Sequence, residues 1–598
     1  MGNTIIQKIF ENHSSQKPTV GDIIDIGIDA RVARDFGGAN VVKNLTDHQL
    51  TVENPAKTFF TFDCNPGGCD QKYAANQHIC RLFARDHDIT IYDIDQGIGT
   101  HLAIDEGLIT LGGTLVSTDS HANILGAIGA FGQGMGDKDI AHAWAYGKVW
   151  FKVPPTVKII LTGRPGEHAT AKDVTLCMLK HLGANGLLGY AAEIYGEYVD
   201  ELSLDGRITI ASMATEMGGI IIFFPPNEHV LSYFNDMVGV KINPVFADDD
   251  AIYEKTIEID IEGIGPMVSR PGHPEDVVGV SDVARTPVDS GFIGSCTNGR
   301  MEDLRSAALV LKGHKIARGR VLKIVPATDK IWQQCLDEGL IKIFKDAGAL
   351  VGSAGCAGCA AGQIGQTGKD EVELSTGNRN FAGKQGKGQV FLTSPETVAA
   401  SMISGVITTK DDLLAPQSFP PRAHKDHQMY GHGKGDIKAP LTVKGRAWVI
   451  PRDNIDTDMI FHNRYLSITD MNEMGQYAFD NLEGYEDFAK KARPGDIVVV
   501  GKNFGCGSSR QQAVDCFKAL GISVIIAESF GSIYERNAIN NAMPILVADD
   551  ITKKITDGDR LSVDFSSGKI IDETQEKAIN AKPFSPSQLE IYQRGGLL

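Results

Sequence analysis

Short apolar runs alternate with amphipathic segments along roughly the first 415 residues of the chain. The runs TVKIILTG (156–163) and GRVLKIVPA (319–327) are rich in β-branched residues, which predicts strands. AKDVTLCMLKHL (171–182) and the stretch near 329–341 carry helical periodicity. The longest apolar run, GGIIIFFPP (218–226), predicts a buried strand because it is too short to span a membrane. Strands alternating with helices predict α/β domains in which helices cover the sheets.

The pattern breaks at residues 416–440, where four prolines and three glycines fall without hydrophobic periodicity. This composition predicts a linker. A smaller domain is predicted at 441–598, with strand, Gly-rich loop, helix and strand over 495–530. The helix is expected to begin at Ser508 and Ser509, because serine is a good N-cap residue. The N–H groups at such a helix end suit a carboxylate.

Composition narrows the class of protein. A chain of 598 residues exceeds a single hydrophobic core, so we expect three to five domains. A net charge of −17 argues against a general nucleic-acid-binding or anionic-membrane surface. The start MGNTIIQKIF does not read as a signal peptide, and ten cysteines then suggest free thiols in the cytoplasm or another reducing compartment.

Three cysteines lie in glycine-rich sequence, Cys296 alone and Cys356 with Cys359 as a Cys-x-x-Cys pair. A disulfide, a redox pair, half a zinc site and an iron–sulfur cluster each use such a pair. Three thiolates without a fourth make a poor structural zinc site but suit a [4Fe–4S] cluster with one open iron. Spacing alone leaves these alternatives open.

Five motifs follow one another along the chain: STDSHA (117–122), GSCTNGR (294–300), GCAGCAAG (355–362), STGNRNFAG (375–383) and GKNFGCGSSR (501–510). Together they resemble the aconitase superfamily, which includes aconitase, isopropylmalate isomerase and homoaconitase. The final part, with NIDTDMIFHNRYL (454–466), looks closer to isopropylmalate isomerase small subunits.

The resemblance implies a fold and a reaction. The fold would be α/β and aconitase-like. Three α/β domains would surround the cluster within 1–415, and a swivelling β/β/α domain would follow the linker at 441–598. The reaction would be dehydration and rehydration of a hydroxy di- or tricarboxylic acid by an iron–sulfur hydro-lyase, of the aconitate hydratase or 3-isopropylmalate dehydratase type. No membrane and, for the holo form, no nucleic acid is expected as a partner. The fusion of both parts in one chain permits a monomer.

The resemblance also assigns residues to roles. It implies a [4Fe–4S] cluster on Cys296, Cys356 and Cys359, and Ser508 as the base. Ser509, Ser120 and the clamps Arg379, Lys384, Arg464 and Arg510 would bind the substrate. The groups that handle protons would be Asp63, Cys64, His101, Asp119, His121 and Glu216.

Several positions depart from the family pattern. Cys64 stands in TFDCNPGG where the family usually has histidine, and a thiol is a weaker acid than imidazole at pH 7. Lys384 stands where an arginine is common, which replaces a two-pronged donor with a point charge. Ser467 and Ile468 offer no cation, which favours a substrate with a small or apolar side group over homoaconitase chemistry. These changes leave two alternatives open: a methylated substrate such as methylcitrate or dimethylmalate, or a non-catalytic regulator that binds RNA or a metabolite.

Overall fold

The computed structural model describes residues 2–35, 37–65, 70–238, 242, 244–359, 364–413, 439–466, 468, 470–507 and 510–597. The chain divides into two compact units, Met1–Ala423 and His424–Leu598. Apart from residues 439 and 440, the predicted linker lies outside the described residues. Among the described helices, none is both long enough and apolar enough to cross a bilayer.

One sheet of the first unit has five strands, all of them parallel. Arg34 is the last residue of one strand, and Asp63 and Asp119 each follow the end of a neighbouring strand by two residues. The carboxyl ends of parallel strands share one edge, so this topology brings the three side chains together. In spatial order the strands are Thr90–Tyr92, Thr58–Thr61, Ala30–Arg34, Thr114–Ser117 and Phe131–Gly134.

A second parallel sheet has four strands and contains two of the predicted ones. The strand predicted at 156–163 is observed at Thr156–Thr162, and the apolar run 218–226 holds the buried strand Ile221–Phe223. The helix predicted at 171–182 is Ala171–Leu182. The strand order is Ile221–Phe223, Ala191–Tyr195, Thr156–Thr162 and Lys255–Asp260.

The third sheet has seven strands, five of them parallel, and it carries the cysteine loops. Cys296 follows Ser290–Ile293 by three residues, Cys356 follows Leu350–Val351 by five, and Arg379 follows Val372–Ser375 by four. All three therefore leave the same edge of the sheet. The order is Val277–Gly279, Met267–Ser269, Gln389–Thr393, Val372–Ser375, Ser290–Ile293, Val321–Ile324 and Leu350–Val351.

Two predicted elements differ in extent. The strand predicted at 319–327 is only Val321–Ile324. The helix near 329–341 is two helices, Asp329–Asp337 and Leu340–Ala347, because Gly339 between them has a φ of 75° that a continuous helix excludes.

Helices cover these sheets, and the strands Ile23–Gly27 and Lys148–Lys152 form a separate antiparallel pair. The other α-helices of the first unit are Ile5–His13, Gly38–Asp47, Gln71–His87, Gly99–Asp105, Asp137–Tyr146, Glu197–Glu201, Leu204–Ala211, Glu228–Val238, Met301–Leu311 and Pro395–Ser404. Short 3₁₀ helices lie at Pro55–Lys57, Ala122–Ile128, Thr215–Met217, Val280–Val283 and Ala357–Cys359.

The second unit is built on one mixed sheet of seven strands. Its longest strand, Thr442–Ile450, pairs in antiparallel fashion through its first half and in parallel through its second. The order is Ile545–Val547, Val524–Ala527, Ile497–Val500, Thr442–Ile450, Arg560–Asp564, Lys569–Asp572 and Lys577–Asn580. The α-helices are Thr457–Ile460, Met471–Met474, Phe488–Lys491, Gln512–Ala519, Ser532–Asn540, Ile551–Lys554 and Pro586–Arg594.

The helix predicted to begin at the paired serines begins instead at Gln512, so that prediction is wrong. The preceding loop is held by backbone contacts: the Gly505 N–H donates to Ile455 O at 2.8 Å, and Gly505 and Gly507 both have positive φ. Gln511 takes the N-cap position of this helix. Ser508 and Ser509 themselves lie outside the described residues.

Candidate active site

The loop that carries Cys296 is fixed to the neighbouring strand. Gly294 and Ser295 have φ values of 152° and 71°, which turn the chain sharply after the strand. The Thr376 hydroxyl accepts from the Gly294 N–H at 2.9 Å and donates to its carbonyl at 3.0 Å. Cys296 is buried, and its Sγ lies 3.3 Å from Asn378 Oδ1. Asn378, which the sequence analysis did not assign to the site, therefore touches a predicted cluster ligand.

The Cys-x-x-Cys loop is a tight turn that packs on a glycine. Cys356 is buried, and its N–H donates to the Asp63 carbonyl at 2.9 Å. Ala357–Cys359 forms a 3₁₀ turn, and a Cβ placed on Gly365 would lie 2.7 Å from the Cα of Gly358. The side chain of Cys359 lies outside the described part of the chain. Cys296 and Cys356 belong to one buried cluster of the first unit.

Arg34 is a site residue that the sequence analysis missed. Its side chain is 11% exposed and faces three predicted site residues. The Nε donates to Asp63 Oδ1 at 2.6 Å, Nη1 lies 3.1 Å from Asp119 Oδ1, and Nη2 donates to Cys356 Sγ at 2.8 Å. The available signal was positional, because Arg34 ends a buried strand at the edge where the site forms.

Cys64 and Asp63 share a buried loop. The Cys64 Sγ donates toward Asp63 Oδ1 at 3.5 Å. Burial raises the pKa of Asp63 to about 6, although Arg34 opposes the shift, and burial raises the pKa of Cys64 well above its ordinary value. Cys64 therefore stays a neutral thiol at pH 7, while Asp63 exchanges its proton near neutrality.

Asp35 fixes this loop through hydrogen bonds. It accepts the N–H groups of Cys64 and Asn65 at 3.1 and 3.0 Å, and Gln77 Nε2 at 3.1 Å. Ligand atoms of Asp35, Asp63 and Cys64 lie within 4.8 Å of one another, a spacing that could hold a metal. However, both carboxylates already accept hydrogen bonds on each oxygen, so a cation would have to displace several donors. We interpret this group as a hydrogen-bonded loop.

His101 joins the Cys296 loop to a buried arginine. Its Nε2 lies 3.0 Å from the Cys296 carbonyl, and its Nδ1 lies 3.3 Å from Arg300 Nη1. Because the guanidinium can only donate, Nδ1 accepts and Nε2 carries the proton. Burial, with Arg300 adding to it, lowers the pKa of His101 to about 4, so the ring is neutral at pH 7. Arg300 is held in turn by Asp105 at 3.0 Å and Asp205 at 2.5 Å.

A second histidine, His121, forms a triad with Glu216 and Arg379, which are distant from it in the sequence. His121 and Glu216 are buried, and Arg379 is partly exposed. His121 Nε2 lies 3.2 Å from Glu216 Oε1, which also accepts from Arg379 Nε at 2.7 Å. His121 Nδ1 lies 3.4 Å from the Ser120 hydroxyl and 3.9 Å from Asp119 Oδ1.

Glu216 is ionised, and both of these contacts are made to one of its two carboxylate oxygens, Oε1. Burial opposes ionisation of this carboxyl, but His121 and Arg379 outweigh it and keep its pKa below the ordinary value. Its Oε2 is buried and has no hydrogen-bond partner within the described part of the chain. An unpaired carboxylate oxygen beside an imidazole can accept a proton or a hydroxyl hydrogen from a ligand.

Three further basic residues predicted to bind the substrate, Lys384, Arg464 and Arg510, have different surroundings. In the first unit, Lys384 is half-buried in the turn after Phe381. In the second unit, Arg510 is bidentate to Asp458 at 2.5 and 2.6 Å and donates to the Phe461 carbonyl, while Arg464 lies 3.1 Å from Asp480. Asp458, which was not among the predicted residues, orients Arg510.

Two family models cover most of the chain. Residues 7–405 match the aconitase family (aconitate hydratase), and residues 441–549 match the aconitase C-terminal domain. The first match alone spans more than half of the chain.

Individual relatives agree with the family models. A 3-isopropylmalate dehydratase large subunit from Methanopyrus kandleri is 36% identical over 412 residues, which are 68% of this chain and 99% of the relative. A mitochondrial homoaconitase from Debaryomyces hansenii is 29% identical over 594 residues, covering 93% of this chain and 86% of the relative. A crystal structure of a 3-isopropylmalate dehydratase from Methanocaldococcus jannaschii is 39% identical, with a TM-score of 0.25, and covers 26% of this chain and 91% of that one.

The family models and the dehydratase large subunit confirm the resemblance that the ordered motifs indicated, and the sheets and helices described above confirm the α/β fold class. The conclusion follows from the length of the chain that the family model covers and from the near-complete coverage of the dehydratase large subunit. The chain belongs to the aconitase family and is a hydro-lyase of that family.

Proposed function

We propose that this hydro-lyase interconverts two hydroxy isomers of a di- or tricarboxylic acid through the unsaturated acid between them, with a [4Fe–4S] cluster held by Cys296, Cys356 and Cys359. The observation that carries the proposal is the chain of contacts in the first unit from the buried Cys356 through Arg34 and Asp119 to the His121–Glu216–Arg379 triad. The family match supports an iron–sulfur enzyme in general.

The residues present fit such a cluster. Soft thiolates are the donors that iron–sulfur clusters take. Asn378 lies at the sulfur of Cys296, and Arg34 donates to the sulfur of Cys356. Hydrogen-bond partners of this kind orient metal ligands. When bound, the cluster would supply a Lewis acid that polarises a substrate carboxylate and the leaving hydroxyl.

The protein's own groups move the protons. In dehydration, a base removes a proton from carbon, the neighbouring C–O bond breaks and water leaves. Rehydration reverses these steps with the hydroxyl on the other carbon. We assign the carbon proton to Ser508, and the hydroxyl proton to the Cys64 thiol with Asp63 behind it. The neutral thiol and the Asp63 carboxyl, with its pKa of about 6, suit that transfer.

His121 and Glu216 form the second proton-handling pair in this proposal, with Asp119 beside His121. Both ring nitrogens of His101 already have hydrogen-bond partners. We therefore assign His101 the role of holding the Cys296 loop in place while the neighbouring groups transfer protons. Arg379, Lys384, Arg464, Arg510, Ser120 and Ser509 would bind substrate carboxylates and hydroxyls. Arginine suits carboxylates because its two parallel donors match their geometry.

Within this class we propose a substrate with an apolar side group, of the 3-isopropylmalate kind. Ile468 is partly buried against the core of the second unit and offers no cation for an additional carboxylate. The 36% identity to a protein named 3-isopropylmalate dehydratase supports the same choice. Methylcitrate and dimethylmalate are the competing substrates with a methyl group.

The test is anaerobic reconstitution with iron and sulfide, followed by substrate turnover. Absorbance at about 240 nm would report the conjugated unsaturated acid as citrate, isocitrate, 3-isopropylmalate, methylcitrate and dimethylmalate are added in turn. Turnover of 3-isopropylmalate that Ser508→Ala abolishes would support the proposal. A bound cluster with turnover of citrate alone would overturn the choice of substrate, and failure to bind any cluster would overturn the cofactor.

We also propose the domain limits 1–415 and 441–598 with a linker at 416–440, and a reducing compartment such as the cytoplasm. The eight cysteines whose state is described are all free thiols, which supports that compartment. A small anionic hydroxy acid is the proposed partner. The net charge of −17 supports the absence of nucleic acid from the holo form.

A further inference from the structure

The guanidinium of Arg34 connects a predicted cluster ligand with two predicted proton-handling carboxylates. Each of its three nitrogens has a different partner: Nε donates to Asp63, Nη1 lies against Asp119, and Nη2 donates to the sulfur of Cys356 at 2.8 Å. The question is what a fixed cation does to that sulfur.

The two carboxylates fix the direction in which the third nitrogen points. Asp63 is fully buried and is itself held by the Gly99 N–H at 2.8 Å, while Asp119 is held by the His121 N–H. Because a guanidinium is planar, anchoring Nε and Nη1 leaves Nη2 no freedom to leave the sulfur. Arg34 is therefore preorganised toward Cys356.

A donor at this position favours a particular state of the sulfur. A neutral thiol is a weak acceptor, whereas a thiolate accepts well from a cation. Arg34 Nη2 lies 2.8 Å from this sulfur, so its positive charge favours the thiolate over the thiol. In a cluster, positive charge and hydrogen bonds at the ligand sulfur stabilise the reduced state, which carries one more negative charge.

We propose that Arg34 is a positioning residue that holds Cys356 as a cluster ligand and raises the reduction potential of the cluster. This inference rests on the iron–sulfur cluster of the proposed function. It goes beyond that function because it assigns a role to Arg34 through a sulfur atom, separately from substrate binding. The consequences are a cluster that is easier to reduce and that retains its iron longer.

The chain offers a matched control on the same strand. Arg31 lies three residues before Arg34 on the strand Ala30–Arg34, has a side chain that is 4% exposed against 11% for Arg34, and pairs with Glu53 at 2.8 Å. Arg31→Gln thus removes a buried cation and one ion pair from the strand without touching the cysteine. A general effect of weakening this strand would appear in both variants, whereas an effect through the sulfur appears only at Arg34.

The experiment compares wild type, Arg34→Gln, Arg34→Lys and Arg31→Gln after anaerobic reconstitution. Iron and sulfide content, the cluster reduction potential from an EPR-monitored redox titration, and the rate of iron loss to a chelator are measured. We expect Arg34→Gln to shift the potential to more negative values and to lose iron faster, and Arg31→Gln to match wild type. Arg34→Lys keeps the charge for the carboxylates but has no planar fork, so its shift should be smaller.

The outcomes separate this inference from the function on which it rests. If wild type binds a cluster and Arg34→Gln has the wild-type potential and iron loss, the inference is wrong and the proposed function stands. If wild type binds no cluster, both fail. If Arg34→Gln does not fold, Arg34→Lys decides: a potential equal to that of wild type would again overturn the inference.

Discussion

Glu216 shows how a single carboxylate joins two side chains that are distant in sequence, since it accepts from both His121 and Arg379. Glu216→Gln removes the negative charge and the Oε2 acceptor, while an amide oxygen in place of Oε1 keeps both contacts and the shape. We expect kcat/KM to fall roughly 10²- to 10⁴-fold, the range for loss of general acid–base catalysis. Turnover followed at 240 nm provides the measurement. Glu53→Gln, at the half-exposed partner of Arg31, should retain wild-type activity, and equal activities in the two variants would contradict the role of Glu216.

Cys64 provides a second prediction at the same scale, because its thiol lies 3.5 Å from a carboxyl with a pKa of about 6. Cys64→Ala should lower kcat on the order of 10²-fold or more, and Cys64→Ser, which keeps an O–H donor, should lower it less. Cys80→Ser is the control, since that thiol is buried against Gly38 in a hydrophobic core that does not include Cys64. Wild-type kcat in Cys64→Ala would show that the thiol donates no proton.

Sequence motifs identified most of these residues, but not all of their neighbours. Cys296, Cys356, Arg379 and His121 lie in motifs that could be read directly. Arg34 lies in none of these motifs, whereas Asn378 and Asp458 lie inside STGNRNFAG and NIDTDMIFHNRYL but were assigned no role. All three were missed because each acts through a contact that the fold creates.

At the scale of elements, the turn Ala357–Cys359 depends on a contact between two glycines. Gly365 has a φ of 108°, and its added Cβ would lie 2.7 Å from Gly358 Cα. Gly365→Ala should therefore displace the turn and reduce the iron bound after reconstitution. Gly272, with a φ of 111° and open space around it, is the control, because Gly272→Ala brings similar backbone strain without the clash. Equal iron content in the two variants would show that the glycine contact does not support the site.

The helix Met301–Leu311 begins directly after the Cys296 loop and is capped by the half-buried carboxyl of Asp303. Asp303 accepts from the Arg300 N–H and Asn298 Nδ2 at 3.1 and 2.8 Å, yet burial raises its pKa from 3.8 to about 8. When a carboxyl has a higher pKa in the folded than in the unfolded protein, its contribution to stability is fully present below the pKa of the unfolded state. That contribution is lost as the pH rises toward the pKa of the folded state. The free energy of unfolding should therefore fall between about pH 4 and pH 8.

The prediction from this helix is tested by Asp303→Asn, which has no proton to lose. Relative to the variant, wild type should lose stability with rising pH, by at most about 1.4 kcal/mol per pH unit. Urea unfolding of both proteins at several pH values from 5 to 8 measures the difference. A difference that stays constant with pH, or that grows in favour of wild type, would show that Asp303 is ionised throughout.

At the scale of the whole molecule, the cluster loops and the second unit have separate cores. The cluster cysteines lie in a core of the first unit, whereas the two cores of the second unit are built from residues between 439 and 592. A bound group stabilises the elements that hold it. Removing iron with a chelator should therefore speed hydrogen exchange in peptides around 290–300 and 351–358, and leave 497–500 and 524–527 unchanged. Equal acceleration in both sets would contradict this picture.

The sequence alone determined the α/β class, the family and the position of many elements. Local signals suffice for these, because periodicity reports burial and Gly-rich motifs report turns. Ala171–Leu182 agrees with its prediction, whereas 329–341 divides at Gly339 and the helix after the paired serines starts at Gln512.

Only the tertiary structure decided which groups share the site. The carboxyl ends of parallel strands bring Arg34, Asp63 and Asp119 together, and the edge of another sheet carries Cys296 and Cys356. The proton affinities of Asp63 and His101 follow from burial and from the neighbouring arginines. No local sequence pattern encodes these proton affinities, because desolvation and charge act through space and not along the chain.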